Sequence, residues 1–195
     1  MLTQVTYAVL DSPIDPFLAM VADGELVALY FGGGRSLRAA KAWYTRQVPG
    51  ASFTEAASGA KAMAPVRAWL NDYFAGRALE GGALPHRFHG TEFQRAVWNA
   101  LFEVPAGETR TYGEIARRVK HPDGARAVGA AVGQNPIPIF APCHRIVGAN
   151  GSLTGFGGGL PRKRWLLAHE AKWADAAATA SGRARPGRQL DLLTP

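Results

Sequence analysis

Three prolines, Pro136, Pro138 and Pro142, fall within seven residues, and the single cysteine of the chain, Cys143, follows the last of them. Each proline fixes its own φ, removes a backbone donor and biases the preceding residue away from helix. The stretch therefore reads as extended backbone, and Cys143 sits on a rigid approach between the elements upstream and those that follow.

Upstream, the first thirty residues read as strands. Val5 to Leu10, Phe17 to Ala22 and Leu26 to Phe31 are short apolar runs separated by Asp11-Ser12-Pro13 and by Asp23-Gly24, a strong hairpin signal. A small antiparallel sheet is expected. Residues 37 to 48 and 65 to 74 are predicted helices, the second with Pro65 in its first turn and Val66, Trp69, Leu70 and Tyr73 on one stripe. These make an α/β domain over residues 1 to 80, and the glycine-rich stretch from Gly76 to Pro85 reads as a linker.

A second, mainly helical domain is expected over residues 86 to 172. Thr91 with Gln94 and Thr111 with Glu114 are capping boxes, each followed by apolar residues at helical spacing. The breaker His121-Pro122-Asp123-Gly124 separates the second of these helices from another over residues 125 to 132, a pattern that resembles a helix-turn-helix. Asn150-Gly151 predicts a hairpin between His144 to Val147 and Ser152 to Phe156, and a last helix is expected from Pro161 to about Lys172. The tail, 173 to 195, rich in Ala, Gly, Arg and Pro, reads as disordered.

Charge is unevenly placed. The net +7 divides into 7 Lys/Arg against 7 Asp/Glu in residues 1 to 85, 11 against 6 in 86 to 170, and 4 against 2 in 171 to 195. A neutral first half joined to a basic second half suggests a polyanion partner for the latter. No apolar run approaches membrane-spanning length and Met1 to Val5 lacks the features of a secretory signal, so no membrane is implied and the expected address is the cytoplasm. One cysteine allows no internal disulfide, and no Cys/His spacing suggests a metal site.

A lone cysteine is commonly a small buried hydrophobe. Here it precedes the basic pair His144-Arg145, an electropositive setting that favours the thiolate and hence a nucleophile. Chain neighbours rarely face one another, so the proton acceptor is left open between His144 acting through a water and a different histidine.

The segment Pro142-Cys143-His144-Arg145-Ile146-Val147-Gly148, with Asn135-Pro136-Ile137-Pro138 before it and Arg126-Ala127-Val128-Gly129 further upstream, closely resembles the O6-alkylguanine-DNA alkyltransferases. The similarity extends through Thr111-Tyr112-Gly113-Glu114-Ile115-Ala116 and Arg164-Trp165-Leu166-Leu167-Ala168-His169-Glu170. It reaches the first domain in Ser12-Pro13-Ile14, with Asp15 where glycine is usual. The resemblance implies a ribonuclease-H-like first domain, a winged-helix-like helix-turn-helix in the second, and irreversible transfer of an alkyl group from O6-alkylguanine in double-stranded DNA to Cys143. O4-alkylthymine as a second substrate stays open.

By the same resemblance, His144 activates Cys143 through a water and is oriented by Glu170, while Tyr112 donates to the base. Arg126 fills the stack when the nucleotide is flipped out, and Thr111, Ala125, Ala127 and Gly129 face DNA. Asn135 braces the site, Pro138 and Ile146 line the pocket, and the loop at Phe156 and Gly157 closes over the base. Some family members carry tyrosine and serine at those last two positions. The expected state is a monomer, with cooperation on DNA left open.

Two inferences come from the residues alone. The recognition helix, Ala125 to Gln134, has few side chains able to read base edges, so affinity should come from phosphates, with strong salt dependence. A thioether on Cys143 would meet no resolving cysteine, metal or nucleotide loop, so each molecule acts once, and no cofactor is implied. The competing readings are a DNA-binding regulator, a lesion-binding protein without transfer, and a cysteine hydrolase. The bare recognition helix, the presence of Cys143 and the basic domain speak against them in turn.

Overall fold

The structure, a computed structural model, describes residues 3–77 and 84–181. It divides into two compact units, Met1–Ala75 with Gly82–Gly90, and Gly76–Gly81 with Thr91–Pro195. Most of the expected linker, 78–83, lies outside the described residues.

The first unit is built on four strands, β1 (Gln4–Leu10), β2 (Phe17–Ala22), β3 (Glu25–Phe31) and β4 (Ser52–Glu55), in the order β3-β2-β1-β4. The first three form the expected antiparallel meander. Asp23 and Gly24, at φ 51° and 80°, give the two left-handed residues that a two-residue hairpin turn needs. The sheet is nevertheless mixed, because β4 pairs parallel with β1, from Gln4 opposite Ser52 to Tyr7 opposite Glu55. Helix α1 (Gly33–Gln47) supplies the crossover that a parallel pair requires. The four residues of β4, mostly exposed and polar, carry no apolar alternation that would announce a strand.

Every residue of β2 is buried, and Leu18 and Met20 join Val5, Ala28, Ala40 and Tyr44 in the core. Helix α2 (Ala64–Phe74) buries Val66, Trp69, Leu70 and Tyr73, the stripe expected of it. Residues 85 to 87 pair with β3, Leu26 N donating to Pro85 O and Arg87 N to Leu26 O. Thus 86 to 90, read in the sequence as the start of the second domain, fall in the first unit.

The second unit contains α3 (Glu92–Leu101), β5 (Arg110–Thr111), α4 (Tyr112–Arg118), α5 (Ala125–Gly133), β6 (Ile146–Val147) and α6 (Leu160–Ser181). Both capping boxes close: Thr91 and Thr111 side chains accept from the Gln94 and Glu114 amides, and the Gln94 and Glu114 side chains accept from the cap amides in return. Helix α4 ends in a Schellman arrangement with left-handed Lys120 at φ 60°, where Lys120 N donates to Arg117 O and His121 N to Ala116 O. Val97, Trp98, Leu101, Ile115, Ala116, Val128 and Val132 form the buried contact of α3, α4 and α5. Trp98 Nε1 donates to Ala131 O at 2.8 Å, closing that core with a satisfied polar group.

Two expectations are corrected. The Asn150-Gly151 turn forms, with Gly148 N donating to Ser152 O, but residues 152–156 are not a strand. Strand β6 pairs parallel with β5, Arg110 opposite Ile146, while the carbonyls of Thr154 and Gly155 are taken by a lysine side chain described below. Helix α6 also outruns Lys172 and continues to Ser181 through an alanine-rich segment of high helix propensity. The first part of the supposed disordered tail is therefore helix, and 182–195 lie outside the described residues. Among the described residues no helix is long and apolar enough to cross a membrane.

Replacing the cap of α3, Thr91→Ala, is expected to lower the unfolding free energy by about 1 kcal/mol, read as a lower denaturant midpoint at unchanged slope.

Candidate functional site

Cys143 opens a single 3₁₀ turn, Cys143–Arg145, and is 4% exposed. The proline-rich approach to it is folded more tightly than the extended backbone expected from sequence. Ala141 N donates to Ile137 O at 2.9 Å, and Ile139 takes φ 73°, a left-handed conformation that costs a non-glycine residue of order 1–3 kcal/mol. Asn135 holds this turn at both ends: its Nδ2 donates to Ala141 O at 2.8 Å and its Oδ1 accepts from Ile137 N at 3.1 Å.

The electrostatics differ from the simple basic setting read in the sequence. Burial pushes the Cys143 thiol up to about 11, although Asn135, the positive charge of Lys163 and the amides of Cys143 and Ile139 all pull the other way. Arg145 does not serve the sulfur. Its Nε and Nη2 grip the two oxygens of Glu170, each at 2.8 Å, and Nη1 donates to Val104 O. Glu170 is completely buried, and its Oε1 also accepts from His144 Nε2 at 2.8 Å.

Burial opposes ionisation of Glu170, but the charges and hydrogen bonds of His144 and Arg145 outweigh it and hold the carboxyl well below the usual range. For His144 burial dominates and lowers its pKa, against the opposing pull of Glu170. The ring is therefore neutral beside an ionised carboxylate. With the Nε2 proton committed to Glu170, the lone pair lies on Nδ1, which is buried and has no partner among the described residues. An oriented neutral imidazole with an unused basic nitrogen is what a general base requires.

Lys163 is the functional residue that the sequence reading missed. It is fully buried, and its Nζ donates to the carbonyls of Ile146, Thr154 and Gly155. Burial lowers its pKa to about 8, while negative charge on Cys143 acts to raise it. Within Arg162-Lys163-Arg164 it looks like solvated charge at a helix start. The available signal was spacing, since 163, 166, 167 and 170 share one helical stripe and Leu166 and Leu167 mark that stripe as the buried one.

Tyr112, the first residue of α4, donates from its hydroxyl to Thr154 O at 3.3 Å and sits 3.5 Å from Gly155 O. Burial raises its pKa and the Thr154 contact lowers it. Tyr112 and Lys163 thus hold the same loop. Phe156 follows on that loop, half-buried with its ring centroid 6.5 Å from that of His144, and Gly157 is exposed with open space where a Cβ would stand. Ile146 and Pro138 are buried in the backbone that carries Cys143.

Of the residues expected to face DNA, Arg126 and Ala127 are exposed on α5 and Ala125 and Gly129 are partly so. A Cβ on Gly129 would lie 3.8 Å from the Tyr112 ring, so α5 and the loop beside Cys143 are joined through Tyr112. The Thr111 hydroxyl is occupied by the helix cap, accepting from Glu114 N and donating to Glu114 Oε2. Arg117, Lys120 and Arg126 are exposed cations on the α4–α5 pair, whereas Arg118 pairs with Glu103. Among the described residues no group of three or more His, Cys, Asp or Glu could hold a metal ion.

Residues 92–172 match the sequence model of the family described as 6-O-methylguanine DNA methyltransferase, DNA binding domain. The methylated-DNA–protein-cysteine methyltransferase of Methanosarcina acetivorans is 42% identical over 162 residues, 83% of this chain and 95% of that protein. The protein of the same name from Mycolicibacterium paratuberculosis is 54% identical over 110 residues, 56% of this chain and 66% of that one. Among solved structures, Mycobacterium tuberculosis OGT in complex with DNA is 38% identical with a TM-score of 0.70, covering 87% of this chain and 94% of its own. The O6-methylguanine-DNA methyltransferase of Pyrococcus kodakaraensis, at 22% identity and a TM-score of 0.65, shares the fold over 85% of this chain and 98% of its own. The chain belongs to the methylated-DNA–protein-cysteine methyltransferase family.

Proposed function

We propose that Cys143 is the residue that takes the alkyl group, that O6-alkylguanine in duplex DNA supplies it, and that His144 is the base that frees the sulfur. Repair of DNA by alkyl transfer to a protein cysteine is the activity of the family, and it is the activity of this chain. The observation that carries the assignment is the buried, unpartnered Nδ1 of His144, held in one tautomer by Glu170 and adjacent in the chain to the single cysteine.

The thiol proton passes to His144 Nδ1 through a bridging water. The thiolate then attacks the alkyl carbon, the sulfur–carbon bond forms as the carbon–O6 bond breaks, and the electron pair stays with the guanine, which takes up a proton. The imidazolium formed on His144 is stabilised by Glu170. Because the resting thiol is held up to about 11, the base is needed at neutral pH. Arg145 keeps Glu170 ionised and in place, which makes it a positioning residue.

Tyr112 is the donor to the base, exchanging the carbonyls of Thr154 and Gly155 for the purine edge, and this exchange couples base entry to movement of the Phe156–Gly157 loop. Pro138 and Ile146 form the wall behind the sulfur. Helices α4 and α5, with β5 and β6 as the winged element, present α5 to the minor groove, and Arg126 occupies the gap left by the flipped nucleotide. The first unit takes a ribonuclease-H-like arrangement. The protein acts as a monomer, once per molecule.

Mixed with a duplex containing O6-methylguanine, the intact protein is expected to gain one methyl group, located on Cys143 by peptide mapping, while Cys143→Ala gains nothing. An unchanged wild-type mass would leave only lesion binding. Glu170→Gln should slow transfer and cost about 3–5 kcal/mol of stability by leaving Arg145 buried without its counter-charge. The folded-state pKa of Glu170 is depressed, so the stability it contributes is present above its ordinary 4.5 and is lost as the pH falls below that value. The acid limb of wild-type unfolding should accordingly be steeper than that of Glu170→Gln. Binding to undamaged duplex should weaken sharply with salt and vary little with sequence, and Arg126→Ala should lower transfer from duplex DNA more than the release of one phosphate contact, read as about one unit of salt slope, accounts for.

A further inference from the structure

Two side chains donate to the same two carbonyls, those of Thr154 and Gly155. The Tyr112 hydroxyl lies 3.3 Å from Thr154 O and 3.5 Å from Gly155 O, at the long end for an O–H donor. Lys163 Nζ meets the same pair at 2.7 Å and 3.4 Å, with a full charge behind its bonds. The segment is therefore held firmly by the ammonium and loosely by the phenol. Only the loose holder has a second task, since Tyr112 also serves the incoming base in the proposed reaction.

Lys163 is fixed at a further point. It donates as well to Ile146 O, the carbonyl of the residue that closes the 3₁₀ turn bearing Cys143. An ammonium has three donors, and here three carbonyls from two stretches of backbone take them. Burying a cation this completely is costly, and an apolar side chain would fill the stripe of Leu166 and Leu167 at less expense. The cost is explained if the ammonium holds a segment that has to stay in place when its other holder leaves.

We propose that Lys163 is a positioning residue, which keeps the Thr154–Gly155 segment pinned to the Ile146 carbonyl while Tyr112 leaves that segment for the purine. Base entry then costs the loop one weak hydroxyl contact, and movement is confined to the part beyond Gly155, at Phe156 and Gly157. The proposal rests on the reading of Tyr112 as donor to the base. No covalent bond changes at Lys163, and its protons stay on Nζ. Without the ammonium, Tyr112 would be the one side-chain donor left on those carbonyls among the described residues, and it could serve the base only by letting the loop go.

The test measures single-turnover transfer from a duplex containing O6-methylguanine, over a range of DNA concentrations, in wild type, Lys163→Met, Tyr112→Phe and the double variant. Tyr112→Phe alone should lower the saturating rate about tenfold, the worth of one hydrogen bond. In the Lys163→Met background the same change should cost about twofold or less, because the hydroxyl there is already committed to the loop. Lys163→Met by itself should lower the saturating rate and leave the half-saturating DNA concentration unchanged, since its side chain is buried. A lysine that served stability alone would make the two losses multiply, and equal factors in the two backgrounds would overturn the proposal.

A second measurement leaves Lys163 intact and decides the matter where Lys163→Met does not fold. In Cys143→Ala carrying 15N-labelled lysine, the Lys163 ammonium protons should remain visible and slow to exchange with water in the free protein and equally on the O6-methylguanine duplex. Disappearance of that signal on the lesion duplex would mean that the tether opens with the loop, and the proposal would fall. An undiminished rate in Tyr112→Phe would remove the donor reading and this proposal with it. Absence of methyl from wild-type Cys143 would instead sink the acceptor assignment, and the ammonium signal would still report on the tether.

Discussion

The carboxylate of Glu170 is the point on which the site turns. A fully buried anion is costly unless its oxygens are matched by donors, and here three N–H groups from His144 and Arg145 meet it at 2.8 Å. The match has two results. It fixes the 3₁₀ turn after Cys143 against α6, because consecutive residues of that turn are tied to one side chain. It also sets the state of the imidazole, with one nitrogen spent on Glu170 and the other unused. Stability and reactivity are therefore served by the same bonds, and a change to any of the three side chains alters both.

Around this anchor the protein restrains the sulfur from the other side. Asn135 folds the proline-rich approach, and Lys163 draws the Ile146 carbonyl and the Thr154–Gly155 loop toward one buried ammonium. Neither group neutralises the desolvation of Cys143, whose thiol remains high at about 11. On the proposed reading the reactive state arises when a base takes the proton, and the resting protein keeps a protonated, sheltered sulfur. A permanently ionised thiol would be open to oxidation, and burial avoids that exposure.

Much of this was legible in the residues because it depends on local rules. The capping boxes at Thr91 and Thr111, the Asp23-Gly24 turn and the stripe on α2 are short-range patterns, and each forms where expected. What escaped was long-range. Strand β4 exists because β1 offers it an edge, and the strand expected at 152–156 is absent because Lys163 claims two of its carbonyls. The charge of Arg145 looked available to Cys143, but in the fold Glu170 consumes it. The motif around Cys143 located the site, while the partners that decide its electrostatics come from α6, 20 and 27 residues further along the chain. Lys163 could have been found by asking why a cation occupies the apolar stripe of a helix.

Both of those partners, Lys163 and Glu170, project from one face of α6, seven residues apart. Two turns of helix carry one across to the other, a separation of about 10 Å along the axis. The helix acts as a ruler, with the loop tether at one mark and the imidazole anchor at the other. Adding or removing a single residue between them would swing one mark by about 100° off the buried face. Substitution can drift freely at the outward positions of this span, but its length admits no change, and the distance from loop to base is written into the helical repeat.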